Sequence, residues 1–420
     1  MKLELPTLRS QPSAGRPAAE SDASTAAPVD VPVRAIALQA AGMWAATRAA
    51  LIVFTYFAVP FSHQRAHGLP SLTTFRPDAL LNRWYRWDTQ WYVSISLHGY
   101  NTKQSTGFFP LYPGLVHVVA SIIGSSHVVG ATLLVSNLAT LAAFIGIGLL
   151  ATEVYGRATA TFAIRALAAF PTAFFLAAGY ADSLFLALAA FCLYCARRQQ
   201  WGWAALCAFV ASFDRQFGII LVLPMLWEWA SRQRQAGRDA REMLAPRTLA
   251  ELIPLLAAVP AALAIWGIYL DLRFGDPLAT LNVQHVFWHH DLVPPWQWLH
   301  LVGASIGNAP PWTFPRVRIF FDLAPVTALI LIALLAFRRW PASLALYTFG
   351  LIALIVTSAV PSDYVPFNGE GRYVLLAIPM FLLLGRWMAR RPWLDMLVVG
   401  GGFMLQALFL GYFLRGGWLV

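Results

Sequence analysis

Asp88 is an acid in an unexpected setting. It sits within Asn82-Arg-Trp-Tyr-Arg-Trp-Asp-Thr-Gln-Trp-Tyr92, ahead of His98-Gly-Tyr100 and Phe108-Phe-Pro-Leu-Tyr-Pro113. A carboxylate among aromatic rings can take a proton from an attacking hydroxyl. The rings themselves stack on sugars and isoprenoid chains. Trp84, Trp87 and Trp91 recur at helical spacing, which predicts one amphipathic helix lying at a membrane interface. The plainer reading makes the stretch an aromatic belt, with Asp88 capping a helix or pairing with Arg86.

Further charges interrupt apolar sequence at Asp182, at Asp214-Arg215 and at Glu370-Gly-Arg-Tyr373. Ionisable groups inside membrane segments are functional candidates by default. Their plain alternatives pair Arg215 with Asp214 and Arg372 with Glu370, and make Asp182 the N-cap of the helix that follows. His285, His289 and His290 have a spacing that could bind metal, but only Asp291 accompanies them, so they read as an interfacial cluster. Cys192 and Cys195 form a C-x-x-C inside an apolar helix with no second pair, which reads as packing. Cys207 completes the set, and no disulfide framework follows.

The elements that must position these groups are membrane helices. Hydrophobic residues make up 58% of the chain and charged residues 12%. Ile36–Val59, Val128–Leu150, Leu252–Leu270 and Leu394–Leu414 each approach or exceed the roughly 20 apolar residues a spanning helix needs. They are continuously apolar, so they are helices and not the alternating strands of a barrel. The net charge of +10 comes largely from arginine clusters between apolar runs. Arg157, Arg197, Arg198, the series from Arg232 to Arg247, Arg338, Arg339, Arg386, Arg390 and Arg391 mark inside loops by the positive-inside rule. No nucleic-acid motif accompanies them, so nucleic acid is not expected as a partner.

The resulting fold class is an all-α polytopic membrane protein of about 11 transmembrane helices. Residues 1–33 are expected to be a disordered cytoplasmic tail and 34–420 a single membrane domain. Residues 60–107 form a first outside loop carrying interfacial helices, and 272–320 an outside, lid-like loop. Phe108–Gly124, with Pro110 and Pro113 near its start, is expected to be a partly inserted helix. Trp201–Phe213 and Gln216–Trp229 are short for spans, and short helices are tolerated where they line a protein-buried cavity.

The run Arg86-Trp-Asp-Thr-Gln-Trp-Tyr92, then Gly99-Tyr100, then Phe108-Phe-Pro-Leu-Tyr-Pro-Gly-Leu-Val116 resembles the PIG-V mannosyltransferase family, a branch of the GT-C glycosyltransferases. Phe170-Pro-Thr-Ala-Phe-Phe-Leu-Ala-Ala-Gly-Tyr-Ala-Asp-Ser-Leu-Phe185 resembles the family's Pro-containing segment, with Ala181 and Asp182 where Ser and Glu are commoner. Asp214-Arg-Gln-Phe-Gly218 resembles its Arg-x-x-Gly turn, and Gly371-Arg-Tyr373 its late Arg-Tyr.

The resemblance implies a GT-C-like bundle that moves a sugar, commonly mannose, from a lipid-linked polyprenyl-phosphate donor. The acceptor is a hydroxyl on a glycan, glycolipid or protein at the outer face, and the setting is a bacterial-type plasma membrane. By the same resemblance Asp88 is the catalytic base, or the ligand of a divalent cation such as Mg or Mn. Arg86, Trp87, Gln90, Trp91, Tyr92 and Tyr112 are implied as substrate-binding from the first blocks. Tyr180, Asp182, Asp214, Arg215, Arg372 and Tyr373 are implied from the later ones. The departing phosphate needs a cation, and arginine suits it, with Arg372 ahead of Arg215. A transporter or flippase is the competing class, and a non-catalytic scaffold the third. Convergence of Asp88, Arg215 and Arg372 on one outward cavity separates the enzyme from both.

Overall fold

The computed structural model describes residues 33–61, 77–243, 245–359 and 369–418. The expected tail lies outside these residues, as do 62–76 of the first outside loop and 360–368.

Each long apolar run is one helix. Ile36–Val59 falls within Val33–Phe61, and Val128–Leu150 within Val128–Tyr155. Leu252–Leu270 falls within Pro246–Phe274, and Leu394–Leu414 within Pro392–Leu414. With Phe314–Ala336 these make 5 helices long and apolar enough to cross a membrane, among the described residues. Glu370–Leu376 and Ile378–Met388, bent by 70°, add a sixth if counted as one broken span. The lipid-type surface is plain on their outer faces, where Ile52, Leu138, Ile268, Leu335 and Leu408 are exposed. In water such a surface would drive association; in a bilayer it is the solvated face. The protein is an integral membrane protein. Between the helices, Ala160, Ala163, Ala189 and Ala190 are fully buried, and small side chains let helix backbones approach.

The shorter apolar helices Leu111–Ile123, Trp201–Ser212 and Ala342–Val356 complete the bundle. Leu111–Ile123 runs back along the start of Val128–Tyr155, because Tyr112 Oη donates to Thr132 O at 2.9 Å and meets Ser136 Oγ at 2.7 Å. This is the short helix expected at Phe108–Gly124, and both its ends lie at the same end of the bundle.

The chain leaves α-helical geometry between Arg157–Ala168 and Asp182–Arg197, with one 3-10 turn at Ala173–Leu176. Backbone groups freed inside a membrane protein need partners. Here side chains supply them. Ser136 Oγ donates to Tyr180 O at 3.0 Å, and Asn137 Nδ2 to Ala177 O at 3.3 Å. Thr140 Oγ1 donates to Leu176 O, and Gln406 Nε2 to Phe170 O at 2.9 Å. Ser136, Asn137 and Thr140 stand on Val128–Tyr155, which is the strut that holds the irregular segment.

The arginine clusters gather at one end of this bundle. Arg197 meets Glu228 at 3.0 Å, and Ser343 Oγ donates to the same carboxylate. Arg198 meets Glu153 at 3.3 Å, and Arg386 lies over the Tyr155 ring at 4.9 Å.

Two expectations need correction. Trp84, Trp87 and Trp91 do not share a helix, because the backbone breaks between Pro77–Arg83 and Asp88–His98. Each tryptophan has a different partner: Trp84 faces Phe413 at 6.0 Å, Trp87 faces Trp418 at 5.4 Å, and Trp91 stacks on Phe108 at 5.6 Å. Tertiary packing therefore overrides the periodicity. Residues 272–320 are not a loop either. Ala279–Val286 and Pro295–Asn308 are helices, and the spanning helix begins at Phe314. Between the two helices, Asp291–Leu292 pairs antiparallel with Ser358–Ala359 and ties this segment to the bundle.

Candidate functional site

At the end opposite the arginine clusters, the helix breaks deliver charged side chains to one place. The opposition follows from helix polarity. Asp182 opens the helix Asp182–Arg197, whose other end carries Arg197 about 22 Å away at 1.5 Å per residue.

Asp88 is the first residue of Asp88–His98. Trp87 before it holds φ 51 and ψ −119, a region unfavourable for a bulky residue, at a cost of about 1–3 kcal/mol. The conformation turns the chain so that Asp88 Oδ2 accepts from Arg372 Nη1 at 2.9 Å. Gly179 allows this helix to sit close. A Cβ there would lie 2.8 Å from Thr89 Cγ2 and 2.6 Å from Thr132 Oγ1.

Asp182 is wholly buried and lies between two arginines. Its Oδ2 accepts from Arg215 Nη2 at 2.8 Å, and its Oδ1 lies 3.5 Å from Arg372 Nε. The plain pairings expected from sequence neighbours, Arg215 with Asp214 and Arg372 with Glu370, are thus replaced by long-range ones. The N-cap reading of Asp182 also gives way, since Ala181 occupies the cap and makes no side-chain cap bond. Arg372 is further enclosed by rings, at 5.0 Å from Tyr180, 5.4 Å from Phe175, 5.5 Å from Tyr373 and 5.9 Å from Trp418. A buried guanidinium with two carboxylates and four ring faces is held rigidly.

Asp214 is 2% exposed, and neither of its oxygens finds a well-aligned hydrogen-bond partner. Burial pushes its pKa well above the usual carboxylate range, against the pull of Arg215 beside it. The turn that carries it closes through Gly218, where a Cβ would lie 2.5 Å from Ser212 Oγ. Burial likewise raises the Tyr92 phenol and lowers the His290 imidazole, keeping both neutral near pH 7.

These groups border a cavity of about 790 Å³. Of the residues expected from sequence, Trp87, Asp88, Gln90, Trp91, Tyr92, Asp214, Arg215, Arg372 and Tyr373 line it. Asp182, Tyr180 and Tyr112 stand behind the wall as supports, and Arg86 lies off it, its carbonyl accepting from Tyr180 Oη at 3.4 Å. The segment read as a lid supplies Gln284, Phe287, Trp288 and His290 to the wall, with Trp288 6.0 Å from both Trp91 and Phe108. His285 pairs with Asp291 instead of joining its neighbours. Among the described residues no group of three or more His, Cys, Asp and Glu could hold a metal ion. Sequence reasoning missed Arg318 and Trp418, which also line the cavity, and took Glu370, a third such residue, only as a partner for Arg372. Arg318 and Asp322, four residues apart in an apolar helix, were a readable signal. Trp418 had none beyond the flexible Gly416-Gly417 before it.

A family model described as Mannosyltransferase (PIG-V) matches residues 43–351. No curated protein matches the chain. Among solved structures, ArnT from Cupriavidus metallidurans bound to undecaprenyl phosphate is similar over 90% of this chain and 77% of its own, at 14% identity and TM-score 0.48. The Archaeoglobus fulgidus oligosaccharyltransferase is similar over 87% of this chain and 52% of its own, at 12% identity and TM-score 0.35.

Proposed function

We propose, from the premise that the chain belongs to the mannosyltransferase (PIG-V) family, that this cavity transfers a mannosyl group from a polyprenyl-phosphate donor to an acceptor hydroxyl. The carrying observation is the meeting of Asp88, Asp214, Arg215 and Arg372 on one cavity at the end opposite the arginine clusters. The acceptor oxygen attacks the anomeric carbon, Asp88 takes its proton, and the carbon–oxygen bond to phosphate breaks with its electron pair on the phosphate. Asp88 has one oxygen fixed by Arg372, and no residue among those described bonds the other, which can face the acceptor.

The alternative role for Asp88, ligand to Mg or Mn, fits these residues poorly. A dication on that carboxylate would lie beside a guanidinium already 2.9 Å away, with Arg215 close behind. We therefore assign Asp88 as base. Asp182 orients both arginines and is a positioning residue.

The positive-inside rule turns the arginine end to the cytoplasm and the cavity to the outer face. Counting as crossings the five long helices, the bent pair, and Arg157–Ala168, Asp182–Arg197, Trp201–Ser212, Val222–Gln235 and Ala342–Val356 gives eleven. That odd number carries the C-terminal Trp418 to the outer end, where it packs on Trp87. The direct test is incubation of membranes with labelled polyprenyl-phosphate mannose, wild type against Asp88→Asn. Transfer by the wild type and none by the variant supports the reading. Equal transfer by both removes Asp88 from it, and no transfer by the wild type with any hydroxyl acceptor removes the function.

A further inference from the structure

Two of the arginines on the cavity already hold carboxylates. Arg372 holds Asp88 and Asp182, and Arg215 holds Asp182. Each already carries carboxylate charge within about 3.5 Å, so a phosphate there would meet like charge as well as a guanidinium. The ordering expected from sequence, with Arg372 as the phosphate's cation, is opposed by the carboxylates that already neutralise it.

Among the described residues one further arginine lines the cavity, from a different helix. Arg318 stands in the second turn of Phe314–Ala336, and among the described residues it forms no ion pair. Its Nε is buried without a hydrogen-bond partner. Asp322, one turn further along, accepts the Gly371 N–H at 3.3 Å instead of bonding Arg318. Glu370 shares the wall without pairing to it either. The neighbouring lining is apolar, at Leu354, Ile355 and Ala359. Val317 and Phe320, on either side of Arg318, are 40% and 49% exposed on the lipid-type surface. Arg318 thus stands where the cavity wall meets the bilayer.

We propose that Arg318 is the anchor for the phosphate of a lipid-linked ligand. This rests on the transferase reading above and replaces Arg372 in the anchoring role. The chemistry is recognition of a phosphate mono- or diester by a guanidinium, with an isoprenoid tail running along the apolar wall to the membrane. The arrangement suits a displacement, because the attacking hydroxyl's base and the departing phosphate's cation are then separate groups on the same cavity, on helices far apart in the chain. Arg372 keeps Asp88 aimed, and Arg318 draws the phosphate away.

The test is binding, measured apart from turnover. Wild type, Arg318→Gln and Arg318→Lys are purified in nanodiscs, and undecaprenyl monophosphate is titrated by native mass spectrometry. The matching prenol, which lacks the phosphate, and inorganic phosphate serve as the other arms. We expect Arg318→Gln to bind the lipid phosphate at least tenfold more weakly, Arg318→Lys to retain part of the affinity, and the prenol to bind all three alike. Inorganic phosphate at the same concentration should bind none. Unchanged affinity in Arg318→Gln, with an unchanged melting temperature, overturns the assignment and leaves the transferase reading standing. Equal binding of inorganic phosphate and the lipid phosphate overturns the lipid specificity. A wild type that binds no lipid phosphate and transfers no sugar defeats the transferase reading itself.

Discussion

Asp88→Asn separates chemistry from architecture. Asn has nearly the volume of Asp, and its side-chain oxygen still accepts from Arg372 Nη1, now at 2.9 Å. The variant loses one negative charge beside Arg372, which keeps Asp182 at 3.5 Å. Removing one partner of a fully buried pair costs about 3–5 kcal/mol. The Asp88 side chain is 18% exposed and the hydrogen bond survives, so we expect about 1–2 kcal/mol. Against a domain stability of roughly 5–15 kcal/mol the variant stays folded. Turnover is another matter. Base catalysis contributes about a hundredfold to ten-thousandfold, or about 3–5 kcal/mol of barrier. The assay is transfer of labelled mannose from polyprenyl phosphate by detergent-purified protein, with melting temperature and monodispersity measured on the same sample. We expect kcat to collapse while the donor KM moves only a few-fold, since Asp88 acts on the acceptor's proton. Added Mg or Mn should not restore activity. Wild-type kcat in a folded variant refutes the base assignment, and rescue by a divalent ion refutes the choice of base over ligand.

Other perturbations probe the surroundings. Asp182→Asn leaves Arg215 and Arg372 with one carboxylate between them, and a loss of about 3–5 kcal/mol should appear as a sharply lower melting temperature. Asp214 has its folded pKa raised by burial, so above about pH 4 the unfolded chain ionises first and stability falls as pH rises toward the folded value. Asp214→Asn should remove that slope, which melting curves taken from pH 4 upward will show or refute. Gly218→Ala places a Cβ 2.7 Å from Ser212 Cα, which is backbone and cannot yield, so about 1–3 kcal/mol should be lost along with the geometry of Arg215. Gly99→Cys and Trp312→Cys should react with an impermeant thiol reagent from outside and Arg338→Cys from inside; labelling of all three from the cytoplasmic side would move the site inward.

Much of this was legible because membrane chemistry writes strong signals. Val128–Tyr155 and Pro392–Leu414 are apolar beyond any other explanation, and their ends could be read to within a few residues. Asp88, Asp214, Arg215 and Arg372 stand out because a charge in apolar sequence needs a reason. Their mutual arrangement was not legible. Nearest-neighbour logic paired Arg215 with Asp214, whereas the carboxylate that receives it is 33 residues away, and Arg372 reaches across 284 residues to Asp88. The tryptophan periodicity misled for a related reason. Two of three rings at helical spacing were drawn to Phe413 and Trp418, more than 300 residues on, and the third to Phe108. Gly179 and Gly218 carry close approaches whose partners, Thr132 and Ser212, only the fold reveals.

The pattern of breaks bears on what kind of machine this is. A bundle built only to hold a partner would gain from unbroken helices, since each interruption frees backbone groups that must be bonded again. Here the interruption before Asp88 leaves Trp87 at positive φ, and the one before Asp182 needs Ser136, Asn137, Thr140 and Gln406 to satisfy it. Further breaks precede Arg215 and follow Arg372. Every one delivers an ionisable group to the same cavity wall or directly behind it, and at the same end of the bundle. A transporter also breaks helices, but near the bilayer midplane, where its site must open to both sides in turn. In this chain the helices below the site run on intact to Glu153, Arg197 and Glu228, and these residues tie the opposite end with ion pairs. A route through that end would have to part those pairs. A cavity gathered at one end of the bundle, with a carboxylate fixed on its wall, suits the proposed transfer better than passage from one side of the membrane to the other.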